Sequence, residues 1–211
     1  MTEFFEPPPA PPEPPARHRN PEWFGPPENV VGVTVPLDLT LARTDKLALA
    51  VPAATAYPNG IEFEVVLLVR EQFRDPFEWH PFHASMRGAE FSPKTLRLGV
   101  QFADGQKATS VDTPFFPRDP DERPSGPLLM PRGGGGGGRR WDVSFWLWPL
   151  PPPGSLALVC EWPARDIALT RVEVDNEQLL GASQRAAPLW PDDGGGSGGG
   201  GYTALSVIPK G

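Results

Sequence analysis

The chain has 211 residues, which is enough for one domain of ordinary size with additional tails. Its formal charge of −7 argues against nucleic-acid binding, because a surface that neutralises phosphates needs clustered lysine and arginine. The 30 prolines and 23 glycines are concentrated in a few stretches, which predicts ordered and disordered parts within one chain.

The proline-rich and glycine-rich stretches divide the chain into three regions. Residues 1–27 are predicted to form a disordered arm, although Trp23 and Phe24 near its end are expected to dock on the folded part. Residues 28–190 carry the strand patterns of a single domain. Residues 191–211 are predicted to be a flexible, glycine-rich tail.

Alternation of apolar with polar or small residues identifies the first strands. The runs are residues 31–42, 61–70 and 96–102. Pro36 is expected to interrupt the first run, since proline cannot donate a hydrogen bond to a neighbouring strand. Asn59-Gly60 and Asp104-Gly105 have the composition of tight turns, so each predicts a hairpin.

A long connection rich in proline and glycine follows. Residues 113–138 end in six consecutive glycines, and we expect them to form a disordered loop between two strands. The glycine run lacks the lysine and the serine or threonine of a phosphate-binding loop, so it does not predict a nucleotide site.

Four of the seven tryptophans lie between Trp141 and Trp162, on two strand-like segments joined by a proline-rich turn. Together with residues 167–174, these segments predict a meander of three antiparallel strands. Asp175, with Gln178 three positions later, then predicts the start of the only helix, and Pro188 ends it.

Eight or nine short strands followed by one helix predict an all-β fold, an antiparallel β-sandwich of immunoglobulin-like or jelly-roll type with one short C-terminal helix. Helices and strands do not alternate. The parallel α/β folds in which many nucleotide-dependent enzymes are built are therefore excluded.

Trp146 and Trp148 are the candidate binding residues, since they point to the same face of their strand. The segment around Trp23 or the terminal helix could cover them, as aromatic residues commonly form cores. If they are exposed, they form an aromatic platform for a protein partner or a flat ligand. Arg139 and Arg140, just before this strand, would add guanidinium groups to such a surface or stack on a nearby ring.

Evidence for catalysis is weaker. No serine lies in the context of a nucleophile elbow, and Cys160 alternates with large apolar residues as a buried side chain does. We assign no catalytic residue. Glu78, His80 and His83 could together bind a divalent metal, which would make the protein a metal-dependent enzyme or small-ligand binder with a site built from loops.

The compartment follows from what the sequence lacks. Cys160 has no partner for a disulfide or a zinc site, which makes the cytoplasm the expected location. The N-terminus has Glu3, Glu6 and prolines instead of a signal peptide, and no window is long and apolar enough to cross a membrane. We expect no cofactor, no nucleic acid and no membrane association.

Several segments are together similar to one protein family. They are residues 56–60, residues 97–105, the glycine run into Trp141, residues 145–154 and residues 161–163. The chain resembles an uncharacterised family of soluble actinobacterial proteins over about residues 21–191. The resemblance implies a bacterial cytosolic setting and no particular chemistry.

The sequence therefore favours a non-enzymatic, cytoplasmic binding or scaffold protein. Its partner is expected to be another protein or a second copy of the chain, held by the aromatic strand or by a free sheet edge.

Overall fold

The computed structural model describes residues 21–71, 93–112 and 123–190. The described elements are β1 (Val33–Arg43), β2 (Leu47–Tyr57), β3 (Gly60–Val69), β4 (Arg97–Gln101), β5 (Lys107–Thr109), β6 (Leu128–Gly137), β7 (Arg140–Trp148), β8 (Leu156–Trp162), β9 (Ile167–Val174) and the helix α1 (Asn176–Arg185). Five strands form one sheet in the order β1-β2-β3-β7-β6, and four form a second sheet in the order β5-β4-β8-β9. Neighbouring strands in both sheets pair in the antiparallel direction. The predicted antiparallel β-sandwich with one short C-terminal helix is confirmed.

The inner faces of the two sheets share one apolar core. From the five-stranded sheet, alternate residues of β3 and β7 point inward, including Phe63, Leu67 and Phe145. Val100 and Leu158 of the four-stranded sheet belong to the same cluster of buried side chains. Period-two alternation therefore places one side of each strand in a common interior, as expected for sheets packed face to face.

Both predicted hairpins form, although the first turn lies one residue earlier than the predicted Asn59-Gly60, and neither of those two residues has a positive φ. Tyr57 pairs with Gly60 at the end of the β2–β3 ladder, so Pro58 and Asn59 make a two-residue turn. In the β4–β5 hairpin, Gly105 has a φ of 87°, which a residue without a Cβ adopts at little cost.

The interruption predicted near Pro36 is also confirmed. The pairing of β1 with β2 shifts register between Pro36 and Leu39, and Asp38 between them has a φ of 52°. The bulge accommodates a residue that cannot donate to the ladder, and pairing then resumes along the same strand.

The prediction of a disordered loop over residues 113–138 is wrong for its last part. Leu128–Gly137 is a strand, β6, which pairs with β7 from Leu128 opposite Trp148 to Gly137 opposite Arg140. A glycine run favours disorder only while nothing pairs with its backbone, and here the tryptophan strand supplies that pairing. Residues 113–122 lie outside the described residues.

The predicted meander is wrong as well. β8 pairs with β9 as expected, but β7 lies in the other sheet. The physical reason is that β7 already has β3 on one side and β6 on the other, so both of its hydrogen-bonding edges are occupied. Residues 149–155 instead carry the chain across to the second sheet.

The helix begins and ends close to the predicted positions. Asp175 is its N-cap, with a side chain that accepts a hydrogen bond from the Gln178 amide at 3.1 Å. Leu179 and Ala182 join the main core, and α1 contacts β1 and β2. No helix among the described residues is long and apolar enough to span a membrane.

Replacing Asp175 with alanine is expected to lower the free energy of unfolding by about 1 kcal/mol, because the Gln178 amide loses its acceptor at the first turn of the helix. Chemical denaturation at pH 7 measures this loss. Asp175→Asn keeps an acceptor oxygen at the cap and serves as the control, so an equal loss in both variants would contradict a capping role.

Candidate functional site

Trp146 and Trp148 lie on the outer face of the five-stranded sheet and are both buried. Their exposed fractions are 0% and 6%. They form a second apolar cluster, separate from the main core, which we call the tryptophan cluster. Its buried members are Trp23, Met130, Trp146 and Trp148, with Phe24, Tyr57 and Leu128 packed against them. An exposed aromatic platform is therefore not what the structure shows.

The cover is residues 21–26, which we call the Trp23 segment. Trp23 itself is only 3% exposed, and it belongs to the tryptophan cluster although more than a hundred residues separate it from β7 in the chain. Of the two covers that the sequence suggested, the N-terminal segment is therefore the correct one. The predicted docking of Trp23 is confirmed, and the last part of the predicted 1–27 arm is ordered structure. Residues 1–20 lie outside the described residues.

Four successive carbonyls of the Trp23 segment accept hydrogen bonds from side chains of the sandwich. Asn59 Nδ2 donates to the carbonyls of Glu22 at 2.6 Å and Gly25 at 2.9 Å. The other two bonds run from Trp146 Nε1 to the Trp23 carbonyl at 3.1 Å and from Arg132 Nη1 to the Phe24 carbonyl at 2.7 Å. The bonds to the carbonyls of Trp23, Phe24 and Gly25 satisfy backbone groups that are buried or partly buried and would be costly to leave unpaired.

Glycines make room for this close packing. A Cβ on Gly60 would lie 2.5 Å from Trp146 Cζ2, so any other residue at this turn would push the indole away. A Cβ on Gly25 would collide with the Arg132 guanidinium that holds the Phe24 carbonyl. The segment turns back on itself through a hydrogen bond from the Phe24 amide to the Pro21 carbonyl at 3.0 Å.

Arg123 closes the rim of the tryptophan cluster. Its guanidinium carbon lies 5.3 Å from the centre of the Trp148 ring, within the range of a cation–π contact. Its Nη2 lies 3.1 Å from a carboxylate oxygen of Glu22, and both side chains of this pair are more than half exposed. Arg123 thus connects the Trp23 segment to the sheet at the solvent boundary.

Arg139 and Arg140 lie at the tip of the β6–β7 hairpin. Trp141 points into the main core, whereas Arg140 points to the outer face and donates from Nε to Asp142 Oδ2 at 2.9 Å. This hydrogen bond and the charge of Asp142 raise the pKa of Arg140. In place of the suggested stacking, both arginines are exposed beside the glycine run, and Arg140 forms an ion pair with Asp142.

The glycine run forms one edge of the five-stranded sheet. Among the described residues, β6 pairs with β7 alone. Gly134 and Gly136 approach the partner strand closely, since added Cβ atoms would lie 2.7 Å from Val143 Cα and 2.6 Å from Trp141 Cα. Gly135 and Gly137 face open space, with nothing within 4 Å of an added Cβ. This part of β6 is therefore an exposed edge at which no side chain covers the backbone.

Sequence reasoning missed this edge because glycine gives no alternation to detect. A usable signal was nevertheless present. Leu128 and Leu129 open the segment with strand-like apolar character, and Gly138-Arg139 stands between two runs of similar length, as in a two-residue hairpin turn. Gly138 has the positive φ of 64° that such turns require.

The suggested metal site falls on Glu78, His80 and His83, which lie outside the described residues. Within residues 21–71, 93–112 and 123–190, no group of three or more histidine, cysteine, aspartate or glutamate side chains is arranged to hold a metal ion.

Cys160 is a buried side chain in β8. Burial raises the pKa of its thiol, and a contact of 2.9 Å between its sulfur and Thr170 Oγ1 acts weakly in the opposite direction. A reactive cysteine needs the reverse arrangement, in which nearby charge stabilises the thiolate.

We expect the Cys160 thiol to be unreactive towards an aromatic disulfide reagent at pH 8 in the folded protein and to react completely in denaturant. Because the folded pKa lies above the ordinary value of 9.0, stability from this group is full below pH 9 and is lost as the pH rises through the folded pKa. Denaturation at pH 8 and pH 10.5 measures that loss. A Cys160→Ala variant with an unchanged pH dependence would contradict the assignment.

Two surface cavities among the described residues carry polar side chains. One, of about 230 Å³, lies over Gly99 on the outer face of the four-stranded sheet, beside an ion pair of 2.8 Å between Arg97 and Glu161. The other, of about 430 Å³, lies next to β5, where the Thr109 hydroxyl donates to Asp112 three residues later. Arg97 thus pairs with Glu161 at the first cavity, and Thr109 is hydrogen-bonded to Asp112 at the second.

Comparisons with known proteins add no assignment. No family model, no curated protein and no solved structure matches the chain. The resemblance to an actinobacterial family therefore stays a prediction from the quoted segments.

Proposed function

We propose that this chain is a non-enzymatic, cytoplasmic binding protein that holds an extended segment of a partner protein along the free edge of β6. The observation that carries the proposal is the bare backbone of Gly134–Gly137, which is exposed and paired on one side in the described structure. A partner strand added there would pair its own backbone with the outer groups of β6 and extend the sheet.

Natural edge strands are normally protected against such pairing. Charged side chains, prolines and bulges are the usual devices, because they prevent a second strand from approaching. β6 has Pro131 and a register shift between Pro131 and Gly133, but the four glycines beyond carry no side chain at all. The protected part of β6 is therefore the end near the tryptophan cluster, and the open part is the end near the hairpin tip.

The charges around the open part favour an acidic partner. Arg139 is exposed at the hairpin tip beside Arg140, which is ion-paired to Asp142. Arg132, which donates to the Phe24 carbonyl, stands at the other end of the glycine run. In a symmetric antiparallel pair of two β6 strands, the tip arginines of each copy would approach Arg132 of the other, which like charges disfavour. We therefore infer a partner segment with carboxylates, in preference to a second copy of this chain.

Titration of the ¹⁵N-labelled protein with synthetic decapeptides tests the proposal. One peptide alternates valine with glutamate and the other alternates valine with lysine. The glutamate peptide is expected to shift the amide signals of residues 133–137 and to bind more weakly as salt is added, because screening reduces the attraction of exposed charges. Shifts spread over other strands, or equal binding of both peptides, would refute the proposal.

Two aspartate variants in β6 and one control variant in β9 test whether the peptide binds at the β6 edge. Gly135→Asp and Gly137→Asp place a carboxylate where the structure has open space, so the fold should tolerate them. Repulsion is expected to weaken binding of the glutamate peptide by about tenfold or more. Leu169→Asp alters β9, an edge strand of the other sheet, at a side chain that is already exposed, and should leave binding unchanged.

A further inference from the structure

We propose that the outer face of the five-stranded sheet contains a peptide-binding site and that the Trp23 segment is its ligand, supplied by the chain itself. The ligand class is a short turn with a central tryptophan, an acidic residue before it and a second aromatic residue after it. This site is distinct from the β6 edge and does not depend on the function proposed for that edge.

The Trp23 segment is held mainly by side chains of the sandwich. A strand or helix of a folded core satisfies its backbone mainly through backbone partners. The carbonyls of residues 22–25 instead accept hydrogen bonds from the side chains of Asn59, Trp146 and Arg132. Side chains that donate to successive carbonyls can hold a peptide that is not covalently linked to the domain.

Trp23 is surrounded by apolar side chains of the five-stranded sheet. Trp23 inserts between side chains contributed by two adjacent strands, with Met130 from β6 and Trp146 and Trp148 from β7. Phe24 packs edge-on against Trp23, with ring centres 5.9 Å apart. A buried tryptophan in a preformed apolar pocket, surrounded by a few directed hydrogen bonds, is the usual anchor of a peptide interface.

Opposite charges meet at the rim of the tryptophan cluster. Glu22, the acidic residue of the segment, pairs with Arg123 at 3.1 Å, and Arg123 also lies over Trp148. Because both charged side chains are largely exposed, this contact selects an acidic ligand residue without anchoring the segment permanently.

Cleavage of the folded chain tests whether the segment is a ligand. A protease recognition sequence is inserted between Pro27 and Glu28, and the full-length protein is cut after it has folded. The N-terminal fragment is expected to remain bound at high protein concentration, to dissociate on dilution, and to be replaced by a fluorescent peptide with the sequence of residues 20–27. Changes in peptide anisotropy measure this exchange.

Two control peptides define the recognition. Replacing Trp23 with alanine in the peptide is expected to weaken binding by about 30-fold or more, since it removes the anchor. Replacing Glu22 with glutamine should weaken binding only slightly, and added salt should abolish that difference. In the cleaved protein, Arg132→Ala should weaken binding of the unmodified peptide, because the Phe24 carbonyl loses its donor.

Two results would overturn the proposal. If the cut protein unfolds, as judged by loss of its dispersed amide signals, the segment is a permanent part of the fold. If the cut protein stays folded and releases its fragment but binds neither that fragment nor the peptide again, the pocket is not a peptide site. Neither result affects the titration that tests the β6 edge.

Discussion

Replacing Trp146 with alanine is expected to lower the free energy of unfolding by about 3–5 kcal/mol. The side chain is fully buried between the sheet and the Trp23 segment, so truncation leaves a cavity that the surrounding rings cannot fill. It also removes the only recorded donor to the Trp23 carbonyl among the described residues. Loss of a large apolar contact and of a buried hydrogen bond act in the same direction.

Trp190 provides the matched control for that experiment. It is the same residue type but 63% exposed, so Trp190→Ala should change stability by no more than about 0.5 kcal/mol. Denaturation in urea, followed by far-ultraviolet circular dichroism, compares the two variants without depending on tryptophan fluorescence. Equal effects would show that Trp146 is not covered in solution, and the tryptophan cluster would have to be abandoned.

Replacing Gly136 with alanine is expected to destabilise the protein by about 1–3 kcal/mol, the usual cost of forcing an added group into a packed site. The new methyl group would lie 2.6 Å from Trp141 Cα and would collide with the Arg140 carbonyl, so β6 and β7 would have to separate. Backbone atoms of a paired strand cannot move aside as the end of a flexible side chain can.

Gly135→Ala is the control, one position away in the same run. Open space surrounds its Cβ, and the exchange reduces the conformational freedom of the unfolded chain. We expect this variant to be neutral or slightly stabilised. A disordered glycine linker would respond equally to both substitutions, so indistinguishable unfolding curves would show that β6 is not a strand.

Local chemistry explains which parts of the fold could be predicted. The β2–β3 hairpin, the interruption at Pro36 and the Asp175 cap each depend on residues adjacent in the chain, and all three are present, although the hairpin turn is Pro58-Asn59 and not Asn59-Gly60. Alternation along β3 and β7 likewise identified the residues that form the inner faces. Signals of this kind are readable because the relevant contact is close in sequence.

The errors arose where a contact is distant in sequence. Whether the glycine run is a linker or a strand depends on its pairing with β7, and glycine itself carries no preference that would reveal this. Whether β8 continues from β7 in one sheet depends on β3, nearly eighty residues earlier, which already occupies the other edge of β7. A local sequence pattern does not show which strands pair with β7.

The candidate site was predicted only in part. The pattern identified Trp146 and Trp148 as an aromatic pair on one face of their strand and offered the segment around Trp23 as one of two covers. Sequence alone could not choose between the two covers, because the choice depends on the donors Asn59 and Arg132. These side chains come to lie opposite the carbonyls of the Trp23 segment only in the folded chain. Arg139 and Arg140 were singled out for stacking and instead flank the glycine edge.

Amide hydrogen exchange across residues 133–143, measured with and without the valine–glutamate decapeptide, tests the claim of an open β6 edge most directly. Amides paired with β7 are expected to be protected in both samples, whereas outward amides of the glycine run should exchange rapidly in the free protein and become protected when the peptide is bound. Rapid exchange at every glycine, or protection that the peptide does not change, would show that β6 does not offer an open edge.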